Sequence, residues 1–443
     1  MSFSRSRVLA AAVAALALVV APLALSSASA DSVTGTIPIS SSPGGIAASP
    51  DGTVLYVTDQ LGSSVYVVDI ASGLVTGSIP VGSWPVGVAF APDGLRAFVA
   101  NELDATVAVI NVTTGLQIAV YPVGSDPRQL AVSPDGSTVV VGNYGSSTVT
   151  VLDVALGITH TVTVGAAPWG IAITPDGSTA YVANNGSNSV SVIDLATLTV
   201  VDTIVTPNPF DLVASPDGKS IYVGDMGDQA ISVIDVATGG QSLILLGFSP
   251  YYVDVTPDGA KLLVVTNTGI ALLAVVDLVS STVGPPMAVG STGNALAVAP
   301  DSLTAYIAAN DPAIYVVGLD IIPTLAPAIS APSGALGTPY SFATARRGSP
   351  APAFAVTAGV LPLGLALNTA TGLVSGTPTA VGTSAFSITA TSSAGSATVA
   401  YSVVVAAALA ATGVVALPAV ALGLDLLVAG GLLLLLRRRL ALH

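Results

Sequence analysis

The sequence predicts an all-β chain, and three observations carry that expectation. Glycine (45 residues) and proline (30 residues) punctuate runs of Val, Thr and Ile, the composition of many short strands joined by tight turns. A Pro-Asp pair recurs at positions 50, 92, 134, 175, 216, 257 and 300, spaced by 42, 42, 41, 41, 41 and 43 residues. Each copy sits among the same four strand-like segments, and four short strands per roughly 40 residues is the signature of a propeller blade. Seven copies in one register predict a seven-bladed β-propeller over residues 31–320, followed by a small β-sandwich over 321–405 and a C-terminal transmembrane helix within 406–443.

The blade reads in order. A small, apolar segment such as Gly45-Ile46-Ala47-Ala48 is the first strand. Pro50-Asp51-Gly52 then turns the chain, because Pro sets φ, Asp bonds the backbone and Gly accepts positive φ. Gly holds the third place in six copies and Ser302 in the seventh. Tyr56-Val57-Thr58-Asp59 and its counterparts Phe98-Val99-Ala100-Asn101, Tyr181-Val182-Ala183-Asn184 and Tyr222-Val223-Gly224-Asp225 form the second strand. Val67-Val68-Asp69-Ile70 lies in the third, and Thr76-Gly77-Ser78-Ile79-Pro80-Val81 in the fourth. The last repeat stops at Asp320 without a fourth strand, whereas Val33-Thr34-Gly35-Thr36-Ile37-Pro38 matches Val75-Thr76-Gly77-Ser78-Ile79-Pro80. The N-terminus is therefore expected to supply the outer strand of the last blade and close the ring. Over residues 33–320 these motifs closely resemble the YVTN-repeat β-propellers of surface-layer and other exported prokaryotic proteins.

Both ends read as targeting devices. Arg5 and Arg7 precede an apolar run, residues 8–25, and a small-residue Ala28-Ser29-Ala30 site, which is the pattern of a signal peptide cleaved after Ala30 over residues 1–30. The alternative is a retained signal anchor. At the other end, residues 414–436 are 23 apolar residues before Arg437, Arg438 and Arg439, long enough to span a bilayer of about 30 Å with the arginines on the cytoplasmic side. Asp425 within the span weakens insertion by roughly 2.5–3.5 kcal/mol. Leu409-Ala410-Ala411-Thr412-Gly413, followed by that span and basic tail, resembles a sortase sorting signal of the LAxTG type. The resemblance implies cleavage between Thr412 and Gly413 and linkage to the peptidoglycan of a Gram-positive, actinobacterial cell wall, with the membrane as a station before sorting. A plain membrane anchor preceded by an Ala-rich stalk is the alternative.

After Asp320 the period stops, and Pro323, Pro327 and Pro332 mark a linker. Leu361-Pro362-Leu363-Gly364-Leu365-Ala366-Leu367, then Thr371-Gly372-Leu373-Val374-Ser375-Gly376-Thr377-Pro378, precede alternating strands at Phe386-Ser387-Ile388-Thr389-Ala390 and Val399-Ala400-Tyr401-Ser402-Val403. This resembles the Ig-like, cadherin-like modules of bacterial surface proteins and implies a spacer. Residues 325–405 contain no Asp or Glu, so a calcium cluster is not expected there.

Composition narrows the chemistry. Net charge is −14 and only six of 11 basic residues lie away from the termini, which argues against nucleic-acid binding. There is no cysteine, a single glutamate (Glu102) and two histidines, His160 and the terminal His443. Most catalytic constellations cannot be assembled from that set, and neither a cofactor nor a metal is expected. His160, between Thr159 and Thr161 on a fourth strand, reads as an exposed or rim residue. Asp51, Asp93, Asp135, Asp176, Asp217 and Asp258 read as turn formers. Asp69, Asp153, Asp194, Asp235 and Asp277 recur at one strand position, where a hydrogen bond repeated in every blade is the simplest role.

Function is expected where the repeats differ. Seven residues before each Pro-Asp stand Pro43, Pro85, Pro127, Pro168, Pro209, Pro250 and Gly293. The next residues are Gly44, Val86, Arg128, Trp169, Phe210, Tyr251 and Asn294, so consecutive blades place one cation and three aromatics beside the channel mouth. Trp84 is expected on the same rim, Asp211 and Tyr252 one residue further along, and Asp254 at an otherwise small inner-strand position. An aromatic arc with sparse polar groups suits a sugar or a peptide, although such rings can equally pack against neighbouring loops. The expectation is a non-enzymatic surface binding or adhesion protein for an extracellular glycan or protein. A structural envelope component is the alternative, and a lactonase-type hydrolase or lyase is the third.

Overall fold

A computed structural model describes residues 31–407 apart from 42, 267–268, 329–330, 350 and 393–394. The cleavage site at Ala28 and Ala30, the sorting motif Leu409 to Gly413 and the apolar span 414–436 lie outside the described residues. Among those described, no helix is long and apolar enough to cross a membrane.

The chain divides into two compact units. In the first, strand β1 (Ser32–Pro38) is followed by four strands of blade one: β2 (Pro43–Ala48), β3 (Val54–Asp59), β4 (Ser64–Asp69) and β5 (Leu74–Pro80). They form one antiparallel sheet in the order β2-β3-β4-β5, and blades two to five repeat it. The inner strands of successive blades pack side by side, and that of blade seven meets that of blade one. The ring is closed.

Closure uses the N-terminus. Strand β1 pairs antiparallel with Ala313–Gly318, the third strand of blade seven, with Ile37 opposite Ile314. Asp31, one residue earlier, forms an ion pair with Lys261 of blade six and accepts the Asp320 amide at 2.7 Å. One carboxylate therefore ties together β1, blade six and the exit of the ring.

The blades are held by what lies between them. In β3, alternate side chains point to opposite neighbours. Leu55 and Val57 join Ile37, Ala297, Tyr306 and Ile314 on the blade-seven side. Tyr56 joins Val88, Phe90, Val99 and Ile110 on the blade-two side, with its ring 4.6 Å from that of Phe90. Both faces of such a strand are buried, which is why it is apolar throughout rather than alternating. Each fully buried Leu or Val contributes about 1.5–3 kcal/mol, repeated round the ring.

The repeated aspartates are spent on turns. The Asp51 carboxylate accepts Ser49 Oγ at 2.6 Å and the Thr53 amide at 3.1 Å, and these bonds hold its pKa below the usual range. Asp69 accepts the Ser72 amide at 2.7 Å, Asp194 that of Thr197 at 2.7 Å and Asp235 that of Thr238 at 2.8 Å. Gly52 sits at φ 69°, and the seventh copy holds Ser302 in the same left-handed region at φ 61°. His160 is exposed on the outer strand Ile158–Thr163. Blade six departs from the pattern. Its outer edge is split into Thr282–Val283 and Met287–Ala288, because Pro285 and Pro286 have no amide hydrogen to give the ladder.

The second unit is a small β-sandwich. One sheet orders Gly334–Ala335, Gly395–Ala406, Gly382–Ser392 and Ala353–Gly359; the other orders Tyr340–Ala343, Leu373–Gly376 and Leu365–Leu367. Phe342, Phe386 and Tyr401 stack at its centre, and the buried Tyr401 hydroxyl donates to the Ala326 carbonyl at 2.6 Å.

Candidate functional site: the propeller mouth

The inner strands do not run as uninterrupted ladders. In blades one to five the register shifts between the first and fourth residues, for example between Pro43 and Ile46 and between Pro209 and Leu212. The second and third residues, such as Gly44-Gly45 and Phe210-Asp211, therefore sit in a bulge. Bulges free side chains from the pleat and re-aim them, and they cluster beside functional sites.

In every blade the second residue reaches one place. Gly44, Val86, Arg128, Trp169, Phe210, Tyr251 and Asn294 line a single cavity of about 360 Å³, together with Tyr252, Gln60 and Asn310. Five of the residues expected at the mouth from sequence, Arg128, Trp169, Phe210, Tyr251 and Tyr252, are thus brought together. Gln60 and Asn310 come from a second ring, the residue just after the second strand of a blade. Glu102 and Tyr144 hold the same place in blades two and three. Sequence reading passed over this ring, although its alignment column was available.

The aromatics form a continuous arc. Ring centroids are 5.7 Å apart for Tyr144 and Trp169, 4.4 Å for Trp169 and Phe210, and 4.8 Å for Phe210 and Tyr251. Tyr252 stands edge-on to Phe210 at 5.6 Å. Phe210 and Tyr252 are 9% and 8% exposed and back the wall, whereas Trp169 and Tyr251 are half-buried. Phe210 and Tyr252 belong to a buried cluster, and Trp169 and Tyr251 pack against it while keeping part of their surface exposed.

Arg128 is already engaged. Its Nη1 lies 2.6 Å from Glu102 Oε2, and its guanidinium carbon is 5.0 Å and 5.3 Å from the ring centroids of Trp169 and Tyr144. Burial raises the Glu102 pKa despite the opposing Arg128 cation. The Trp169 Nε1 is buried without a hydrogen-bond partner among the described residues.

Three residues expected at the rim do not line the cavity. Trp84 occupies a left-handed turn position, φ 55°, shared by Asp126, Ala167 and Asn208, and lies outside the bulge that aims side chains at the mouth. Asp211 and Asp254 lie deeper along the inner strands and bridge blades. Asp211 Oδ2 accepts the Val253 amide at 3.2 Å, and Asp254 Oδ2 accepts that of Val298 at 2.8 Å. Water still reaches part of each residue, but both carboxylates are deeply placed. Burial, with the nearby Asp254 charge, pushes Asp211 up to about 7, and burial pushes Asp254 up to about 6. Burial, then the Asp211 charge, also raises the Tyr252 hydroxyl. Among the described residues no three His, Cys, Asp or Glu side chains converge as metal ligands would.

Fold and mouth together define a seven-bladed propeller joined to an Ig-like module. Residues 75–196 match the family model "Lactonase, 7-bladed beta-propeller", and residues 322–406 match "Putative Ig domain". No match is found among curated proteins. Among solved structures, a chain of hydrazine synthase from Kuenenia stuttgartiensis superposes with a TM-score of 0.58 at 24% identity, over 65% of this chain and 99% of that one. Similarity at that level concerns the fold alone.

Proposed function

We propose that the chain is a cell-surface binding protein of the YVTN-repeat type, whose propeller presents its mouth to an extracellular glycan or protein. In this reading the Ig-like module is a spacer, and residues 409–413 direct attachment to peptidoglycan. One observation carries the binding role: the residue at the same place in all seven inner strands converges on one cavity, and this is a column in which every repeat carries a different residue. Structural columns of a repeat stay alike, as Asp69, Asp194 and Asp235 do. A binding screen against glycans and cell-surface fractions, comparing wild type with Trp169→Ala/Tyr251→Ala, tests the site. Loss of binding in the double variant is expected, and unchanged binding rejects the mouth.

Two further readings each have support. The outer strand Leu116–Pro122 exposes Leu116, Ile118 and Val120, and such an edge suits lateral association in an envelope coat. Self-assembly of the purified protein would favour that role. The match of residues 75–196 to a lactonase family supports a catalytic reading, in which Asp211 or Asp254 would be the acid or base. Lactone turnover abolished by Asp211→Asn would establish it.

A further inference from the structure

We infer that the mouth takes an uncharged glycosyl unit, with one C–H face of the sugar ring against Trp169 and Tyr251 and its hydroxyls against the amides of Gln60 and Asn294. This rests on the binding role proposed above and names its ligand class.

The two sides of the cavity differ in chemistry. Blades four, five and six contribute Trp169, Phe210, Tyr251 and Tyr252. Blades seven and one, across the ring from blade four, contribute Asn294, Asn310 and Gln60. Among the described residues none is hydrogen-bonded to the Gln60 side chain. Asn294 Nδ2 donates to the Pro43 carbonyl at 2.8 Å and to Asn310 Oδ1 at 2.6 Å, which fixes its amide and leaves its Oδ1 without a donor among the described residues. An amide offers both donors and acceptors, as a sugar hydroxyl does. The cavity thus presents an apolar aromatic surface on one side and paired polar groups on the other.

Charge disfavours acidic and cationic ligands. The one cation of the cavity, Arg128, is committed to Glu102 and flanked by two rings. An acidic saccharide would have to displace Glu102 and approach a chain of net charge −14. A cationic ligand would find no free carboxylate on the wall, because Glu102 is paired with Arg128 and Asp211 and Asp254 lie deeper and hold the Val253 and Val298 amides, and it would meet the Arg128 cation already seated on the Trp169 and Tyr144 rings. A volume of about 360 Å³ is near the lower end for ligand pockets and suits one or two sugar rings.

The two tryptophans provide the assay. Trp84 lies outside the cavity, so Trp84→Phe in the full chain leaves Trp169 as the sole indole. Its emission is titrated with cellotetraose, tetraacetylchitotetraose and mannotetraose as neutral probes, tetragalacturonate as the acidic probe and tetralysine as the cationic one. At least one neutral saccharide is expected to shift Trp169 emission saturably, and tetragalacturonate and tetralysine are not. Tyr251→Ala should weaken that binding about tenfold, the worth of one aromatic contact. Gln60→Ala, which removes no hydrogen bond among the described residues and so should fold normally, should weaken it as well. A saturable shift with only the acidic or cationic probe overturns the ligand class and leaves the mouth as the site. Failure of all three neutral saccharides to move Trp169 overturns the inference. A neutral saccharide that binds by calorimetry without moving Trp169, and equally well to Trp169→Ala, overturns both the ligand class and the mouth.

Discussion

Asp211→Asn should stabilise the propeller at pH 8 and leave its stability little changed at pH 4. Asp211 replaces the glycine found at the same place in Gly45, Gly87 and Gly170, and its carboxylate is held deep between the inner strands of blades five and six. Burial and the nearby Asp254 raise its pKa to about 7, against 3.8 for a free aspartate. A carboxyl with a higher pKa in the folded state binds its proton more tightly there. Its ionisation then opposes folding, by an amount that grows as pH rises from about 4 to about 7 and is constant above. A shift of about 3 units at about 1.4 kcal/mol per unit sets a ceiling of about 4 kcal/mol. The partial exposure of Asp211 reduces this, and half the ceiling, ~2 kcal/mol, is the working figure. Asparagine keeps an acceptor for Val253 and has no charge to bury.

Thermal melts of wild type and Asp211→Asn at half-unit steps from pH 4 to pH 8 provide the measurement. At pH 8 the variant should melt higher by roughly 4–6 °C, as ~2 kcal/mol implies for a large domain, and the two curves should converge towards pH 4. Asp254, raised to about 6 by the same burial, should behave alike over a window about one unit lower. A difference between variant and wild type that stays constant from pH 4 to pH 8 would refute the reasoning, because it would mean that Asp211 titrates alike in the folded and unfolded chains.

Two other perturbations test the ring itself. Gly170→Ala would place a Cβ 2.7 Å from Asp211 Cα and 2.9 Å from the Phe210 carbonyl oxygen, so blades four and five must separate; a loss of about 1–3 kcal/mol is expected in denaturant titration. Ile37→Asp puts a charge into the closure strand at a site 4% exposed, and should cost more than 3 kcal/mol while speeding amide exchange in Ala313–Gly318, the strand that β1 covers.

How much of this was legible in the sequence follows from what repetition makes visible. Ring closure could be read because Val33 to Pro38 copies Val75 to Pro80, and the strand pairs as the copy demands. The mouth could be read because one alignment column maps onto one cavity. Trp84 could not be placed, since it stands one residue before the Pro that opens the inner strand, in a left-handed turn that the residue type does not announce. Nor could the roles of Asp211 and Asp254. Their partners, Val253 and Val298, are 42 and 44 residues away in the next blade, and no local pattern encodes a bond of that span. The split outer edge of blade six had a visible cause in Pro285-Pro286, but only the pairing shows that the strand resumes beyond it.

The bulge explains why variation concentrates where it does. A ladder residue is constrained twice, by its hydrogen bonds and by packing between blades; Leu55, Val57 and Tyr56 show both constraints at once. In blades one to five the register shift takes the second residue of the inner strand out of the ladder, and except at the buried Phe210 the channel mouth leaves space before it. Glycine, valine, arginine, tryptophan, phenylalanine, tyrosine and asparagine all occupy that place in one molecule. The third residue is free of the ladder but faces the next blade, and so takes Gly45, Gly87 and Gly170 where inner strands crowd and Asp211 where a side chain can bond across the gap. The half-buried positions of this column, Trp169 and Tyr251 among them, can therefore change ligand preference with less effect on the ring than the buried Phe210, whereas a change one residue deeper alters the contact between blades. Substitutions at Trp169 and Tyr251 should accordingly act on binding, and substitutions at Gly170 and Asp211 on stability.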